Sequence, residues 1–255
     1  MIDAEGRTLP SVLLLGGAST LAREMALCFA ARGYAVALAG RDTAELNVIA
    51  GDIHTRHARP VFVLPFDALD GDGHAGFAEK CRETLGELPE GVVACFGLLP
   101  DQAEAQRDAA LARRCLDTNY AGAVSVLERF AAEFEQRRRG FIAGVSSVAG
   151  DWGRKGNYHY GAAKAAFTVY LQGLRNRLHG AGVTVTTIKP GFLDTKMTYG
   201  LDMPRRLVTA PDKAARLAVN AILKGRSVAY VPEYWRVIML VIRHIPECLF
   251  KRMSI

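Results

Sequence analysis

Tyr160 and Lys164 stand four residues apart in Tyr160-Gly-Ala-Ala-Lys164, and Ser147 lies thirteen residues before the tyrosine. Residues four apart share one face of a helix. An ammonium beside a phenol favours the phenolate, so the spacing predicts a Tyr160 pKa drawn down toward neutrality. A phenol tuned in that way can give or take a proton at physiological pH. A serine just upstream, after a strand, can hydrogen-bond the same substrate oxygen. Together these residue types allow proton transfer to or from a carbonyl or an alcohol. A solvated Tyr–Lys pair on a helix would show the same spacing without the chemistry.

These residues need a frame, and the hydrophobic pattern supplies one. Short β-type runs fall at 12–15, 36–39, 61–64, 92–96, 141–145, 183–188 and 228–231. Helical patterns fall between them at 21–32, 43–55, 76–85, 111–136, 158–179 and 211–224. Alternation of this kind implies right-handed βαβ units and a parallel sheet with helices on both faces. The expected fold is a doubly wound α/β sheet of about seven strands, with its site at the carboxyl ends of the strands. No Ser/Gly-rich linker or repeat divides the sequence, so residues 1–255 are read as one domain ending in a tail over 233–255.

Composition narrows the partners. The 255 residues are 50% hydrophobic and 23% charged, ordinary for a soluble globular protein. The net charge of +6 fits either solubility or attraction to anions: a phosphorylated cofactor or substrate, or an acidic membrane surface. No basic stripe interleaved with aromatics points to nucleic acid. Five cysteines without a Cys-x-x-Cys motif indicate neither a disulfide framework nor a zinc site, and fit a reducing cytoplasm. His54 and His57 lie three apart with no acidic or sulfur ligand beside them, so no metal is expected. Residues 1–10 lack the apolar core of a signal peptide, and no run is long enough to span a bilayer.

Ser147, Tyr160 and Lys164, with Asn119 upstream, resemble the catalytic tetrad of the short-chain dehydrogenase/reductase family. Val145-Ser-Ser-Val-Ala-Gly150 and Pro190-Gly191 after a later apolar run strengthen the resemblance, which extends from about Val12 to Tyr230. It implies hydride exchange between a nicotinamide and a carbonyl carbon. Tyr160 would donate the proton, Lys164 would also hold the nicotinamide ribose, and Ser147 would polarise the carbonyl oxygen. Asn119 would anchor a water linking Lys164 to solvent, although a helix cap is an alternative role for it. Ser146 is a less suitable serine, because strand alternation turns it away from Ser147.

The turn Leu13-Leu-Leu-Gly-Gly-Ala-Ser-Thr-Leu-Ala22 lies where a first strand meets a first helix. Glycine lets the backbone approach a pyrophosphate, and the helix start supplies amide donors. Gly16, Ser19, Thr20 and Leu21 are the expected contacts. Against the family's Gly-x-x-x-Gly-x-Gly, only Gly16 is retained; Thr20 and Ala22 replace the later glycines. After the second strand comes Gly40-Arg41-Asp42, where an NAD site usually has a carboxylate. A guanidinium there suits a 2′-phosphate, so NADP(H) is favoured over NAD(H). A solvent-exposed Arg41, with Asp42 capping the next helix, is the plainer alternative. The resemblance further implies that Asp67 and Ala68 meet the adenine, and that Gly97, Pro190, Gly191 and Thr195 lie along the cofactor. Cys95-Phe96-Gly97 departs from the family's Asn-Asn-Ala-Gly except at Gly97.

Residues 192–209 are the expected substrate lid, in which Met197, Tyr199, Leu201 and Met203 accompany Arg205 and Arg206. That mixture would suit a greasy substrate carrying a phosphate. The tail mixes apolar residues 237–242 with Arg236, Arg243, His244, Lys251 and Arg252, as an interfacial segment would; a tail packed on the domain or across a dimer is the alternative. A narrower resemblance rests on Gly16-Gly17, Phe66-Asp-Ala-Leu-Asp70, Phe96-Gly-Leu-Leu99 and Arg243-His-Ile-Pro246. These segments look like the reductases that partner decaprenylphosphoryl-ribose epimerase and act on a keto-pentose carried on a polyprenyl phosphate. The readings are therefore an NADPH-dependent carbonyl reductase of a lipid-linked keto-sugar, a reductase of soluble ketones or β-keto acyl thioesters, or a cofactor-binding regulator with the same fold. The family resemblance implies a homodimer or homotetramer, and the basic tail a peripheral contact with the membrane's inner face.

Overall fold

Seven strands form one parallel sheet in the order β3-β2-β1-β4-β5-β6-β7. The computed structural model describes residues 9–201 and 203–253. The expectation of no signal peptide therefore falls largely outside the described residues. The strands are β1 (Ser11–Leu15), β2 (Ala35–Gly40), β3 (Val61–Pro65), β4 (Gly91–Ala94), β5 (Phe141–Val145), β6 (Thr184–Pro190) and β7 (Val228–Val231). Most are short apolar runs because both faces of a parallel sheet are covered; β6 differs in burying Thr186, Thr187 and Lys189. In β1, Val12 and Leu14 enter one core and Leu13 and Leu15 the other. The alternation repeats in β2, where Val36 and Leu38 oppose Ala37 and Ala39.

The first core packs α1 (Thr20–Ala30), α2 (Thr43–His57) and α8 (Pro211–Leu223) on the sheet. The second packs α3 (Phe77–Leu85), α6 (Gly122–Arg137) and α7 (Tyr158–Leu178) on the other face. The strand order reverses between β1 and β4, which is where a doubly wound sheet opens its crevice. Register brings the strand ends together there: Leu15 pairs with Ala94, Ala94 with Gly144, and Val145 with Ile188. The residues that follow these ends, Gly16, Cys95, Ser146 and Gly191, therefore gather at one edge.

The structure departs from the sequence expectations in three places. Strand β4 stops at Ala94, short of residue 96, because Phe96 turns off the sheet to pack where Gly16 has no side chain. Two short helices, α4 (Gln102–Arg107) and α5 (Ala109–Leu116), precede the long helix; Asp101 and Asp108 cap them through the amides of Glu104 and Ala110. The helical pattern over 111–136 is also interrupted by a π-helical turn at Asp117–Ala121. Asn119 explains that turn: its amide nitrogen donates to the Cys115 carbonyl at 2.8 Å, answering an oxygen within the widened ladder.

The tail forms α9 (Tyr234–Arg243) and α10 (Glu247–Phe250). Helix α9 is two-faced. Trp235 and Met239 are buried with Val148, beside Trp152, Phe192 and Leu207, while Val237, Leu240 and Val241 are exposed. Among the described residues no helix is long and apolar enough to cross a membrane.

Candidate active site

The strand ends surround a cleft of about 1140 Å³. Gly16, Ser19, Thr20, Leu21, Arg41, Asp67, Ala68, Gly97, Ser147, Tyr160, Lys164, Pro190, Gly191 and Thr195 all line it. Asn119 lies behind Gly97, buried, and reaches the cleft through the backbone it holds.

Ser147 follows β5 in extended conformation and its hydroxyl accepts from the Ala149 amide at 3.1 Å. Ser146 faces the other way, donating to the Lys164 carbonyl at 3.0 Å and meeting the Thr168 hydroxyl at 2.7 Å. That contact fixes α7 against the end of β5. Lys164 is 3% exposed, and its Nζ donates to the Val145 carbonyl at 3.0 Å. The same Nζ lies 5.7 Å from the centre of the Tyr160 ring.

The electrostatics reverse one sequence expectation. Burial pushes the Tyr160 phenol up to about 12, the Ser147 hydroxyl beside it pulling the other way with smaller effect. Burial also brings Lys164 down to about 8. Desolvation disfavours both charged forms, and it outweighs the attraction inferred from spacing alone. Tyr160 is therefore a protonated phenol across the neutral range, and Lys164 is the group that titrates near it.

Asn119 is committed to the chain. Its Nδ2 donates to the Leu98 carbonyl at 2.7 Å as well as to Cys115, and its Oδ1 accepts from the Leu98 amide at 3.2 Å. A Cβ on Gly97 would sit 2.7 Å from that Oδ1 and 3.4 Å from Lys164 Nζ, so the glycine keeps this corner open.

At the other end of the cleft, Gly16 takes φ of +82° to turn from β1 toward α1, a conformation natural to glycine. The Ser19 hydroxyl caps α1 through the Ala22 amide at 3.2 Å and donates to the Cys95 carbonyl at 3.1 Å. The Thr20 and Leu21 amides belong to the first turn, where no intrahelical carbonyl can reach them, and both residues line the cleft. They supply donors and a positive dipole end suited to a pyrophosphate. Arg41 is exposed at the end of β2, while the Asp42 carboxylate accepts the Glu45 amide at 2.9 Å and so caps α2. Glu45, which lines the same end, meets Lys196 at 3.4 Å. Asp67 accepts the Leu69 amide at 3.0 Å. These features fit a dinucleotide laid from Arg41 and Asp67, over the start of α1, to Gly97 and Tyr160.

The remaining sequence candidates lie elsewhere. The lid contributes Lys196, Met197, Thr198 and Leu201 to the cleft, but Arg205 and Arg206 are exposed and do not line it. Their 3-10 turn at Arg205–Leu207 carries them outward, with Leu207 tucked beside Trp235. His159 turns to Gln102, 2.7 Å away, and His54 to the Arg59 carbonyl at 2.9 Å. Among the cleft residues that sequence reasoning missed are Arg114 and Thr118, and Arg154 and Asn157 between Ser147 and Tyr160.

A doubly wound sheet with a phosphate-type helix start and a Ser–Tyr–Lys cluster at its crevice defines a dinucleotide-binding oxidoreductase architecture. Residues 10–205 match the short chain dehydrogenase family model, and the chain belongs to that family. It is 34% identical over 242 residues to an uncharacterized oxidoreductase of Mycobacterium tuberculosis, spanning 95% of this chain and 96% of that protein. It is 28% identical over 201 residues to the 3-oxoacyl-[acyl-carrier-protein] reductase MabA of Mycobacterium avium, spanning 78% of each. A short-chain dehydrogenase from Sphingobium yanoikuyae, solved with NADPH, shares the fold with a TM-score of 0.80 at 23% identity, over 94% of this chain and 97% of that one.

Proposed function

We propose that this chain is an NADPH-dependent carbonyl reductase. The observation that carries the reading is one cleft holding the Ser147 and Tyr160 hydroxyls and the Lys164 ammonium at one end, and the α1 amides and Arg41 at the other. NADPH held along Arg41, the start of α1, Gly97 and Lys164 would supply the hydride that the carbonyl carbon gains. Tyr160 donates its hydroxyl proton to the carbonyl oxygen, so C=O becomes CH–OH. Ser147 hydrogen-bonds that oxygen and orients it. Lys164, held by the Val145 carbonyl, places its positive charge beside the phenolate as it forms. Solvent then restores the Tyr160 proton. Asn119 acts through Leu98 and Gly97, fixing the backbone against Lys164.

Arg41 carries the NADPH preference, because its guanidinium stands where an NAD site would present a carboxylate and Asp42 is spent on capping α2. Soluble ketones and β-keto acyl thioesters are the first substrates to test, given the similarity to a 3-oxoacyl-[acyl-carrier-protein] reductase. NADPH consumption on such a panel, lost in Tyr160→Phe, would support the reading. NADPH binding without turnover of any carbonyl would favour a regulator instead.

A lipid-linked keto-sugar is the second reading. Its support is the exposed apolar stripe of Val237, Leu240 and Val241 beside Arg236 and Arg243, on a helix packed against the lid. The outward Arg205 and Arg206 weigh against a phosphate bound by the lid. Faster turnover of a keto-sugar on a prenyl phosphate than of the free keto-sugar would favour it. Assembly as a dimer or tetramer, proposed from the family, is checked by light scattering.

A further inference from the structure

Arg154 is a buried cation with no counter-ion among the described residues. It lies in the 151–157 segment between Ser147 and Tyr160, lines the cleft, and is only 9% exposed. Its Nε is buried without a hydrogen-bond partner, and no carboxylate pairs with its guanidinium among the described residues. Asn157, at the start of α7, lines the same cleft, and its Oδ1 is likewise buried without a partner. The acid closest in sequence, Asp151, is already engaged by Lys189 Nζ and by the Tyr230 hydroxyl at 2.7 Å. A guanidinium keeps its charge even where burial lowers its pKa, as it does here, so an unanswered one in a protein interior is strongly unfavourable.

The cofactor's phosphates do not account for it. Those are served by the start of α1 and by Arg41, at the ends of β1 and β2. Arg154 follows β5, and β1 and β4 lie between β2 and β5. In the sheet order β5 stands three strands from β2, which ends just before Arg41, and two from β1, which leads into α1. Arg154 belongs with the reacting hydroxyls, on the substrate's side.

We propose that Arg154 and Asn157 form the subsite for an oxyanion on the substrate, so that the enzyme prefers carbonyl compounds bearing a carboxylate, sulfonate or phosphate. This rests on the carbonyl-reductase reading and narrows it. The guanidinium presents its donors as a planar fork that matches such a group. Asn157, lining the same cleft, can add its carboxamide Nδ2 as a further donor to that group.

The test compares 3-oxobutanoate with its methyl ester as substrates of the full-length protein with saturating NADPH. Wild type is expected to favour the acid in kcat/KM by about 100-fold, chiefly through KM, and Arg154→Gln to abolish that preference. Arg154→Lys should restore part of it. A wild type that favours the ester, or a loss in Arg154→Gln shared equally by both substrates, overturns the proposal. Loss of turnover on Tyr160→Phe, scored separately, tests the parent reading. If neither compound is reduced, calorimetric titration decides. Binding of 3-oxobutanoate that Arg154→Gln removes supports the subsite, and absent or unaltered binding overturns it. Sulfonated and phosphorylated ketones in the same assay distinguish the three oxyanions.

Discussion

The indole nitrogen of Trp235 fills the space that Gly191 leaves empty: a Cβ on Gly191 would stand 1.9 Å from it. Helix α9 is thereby pressed onto the loop that leaves β6 along the cleft. Gly191→Ala should displace α9 and weaken NADPH binding by about tenfold or more. Trp235→Ala alone removes a buried aromatic, at about 3–5 kcal/mol. In the double variant the added Cβ meets no ring, so the glycine substitution costs less than it does alone. Urea unfolding of the four proteins checks this, and strict additivity would contradict it.

Gly97 lines the cleft beside Lys164 and covers Asn119 behind it. Gly97→Ala puts a methyl group 2.7 Å from Asn119 Oδ1, and that oxygen is held by the Leu98 amide. The expected result is a fall in kcat of about 10–100-fold with the circular dichroism spectrum retained. Wild-type kcat in this variant would contradict the tight corner.

Arg41 should discriminate between cofactors. Arg41→Ala is expected to weaken NADPH binding by about 10–100-fold while changing NADH by less than about threefold. Fluorescence titration of both cofactors measures it. Equal losses for the two would remove Arg41 from the 2′-phosphate.

Lys164 makes stability depend on pH in a direction that can be stated. Its folded pKa of about 8 lies below the unfolded 10.5. Between those values the unfolded chain holds a proton that the folded chain has released, so stability rises with pH. Relative to Lys164→Met, wild type should gain on the order of 2–3 kcal/mol as pH climbs from about 8 to 10.5. Denaturant titrations across that range check the sign. A flat or falling difference would place the ammonium in a more polar setting than the one described.

Much of the frame is legible in the sequence because strands buried on both faces are mostly apolar, as Leu13-Leu14-Leu15 and Val36-Ala37-Leu38 are. The Tyr160–Lys164 spacing also survives folding intact, since a helix fixes it. What spacing does not contain is desolvation. Both groups are buried where they meet, so the phenol moves up where the sequence reading had it moving down. The π turn at Asp117–Ala121 is invisible to periodicity because a side chain, Asn119, sustains it. Arg154 reads as one more loop cation in Asp151-Trp-Gly-Arg-Lys155; only burial without a partner sets it apart from Arg205 and Arg206, which point to solvent.

Carbonyl reduction in this cleft depends on a proton leaving one hydroxyl, that of Tyr160. The most direct measurement is single-turnover reduction of a carbonyl substrate by Tyr160→Phe with NADPH already bound. The expected result is NADPH affinity close to wild type with a rate lowered by about 10²–10⁴-fold. A Tyr160→Phe protein that binds NADPH and reduces the substrate at the wild-type rate would contradict it.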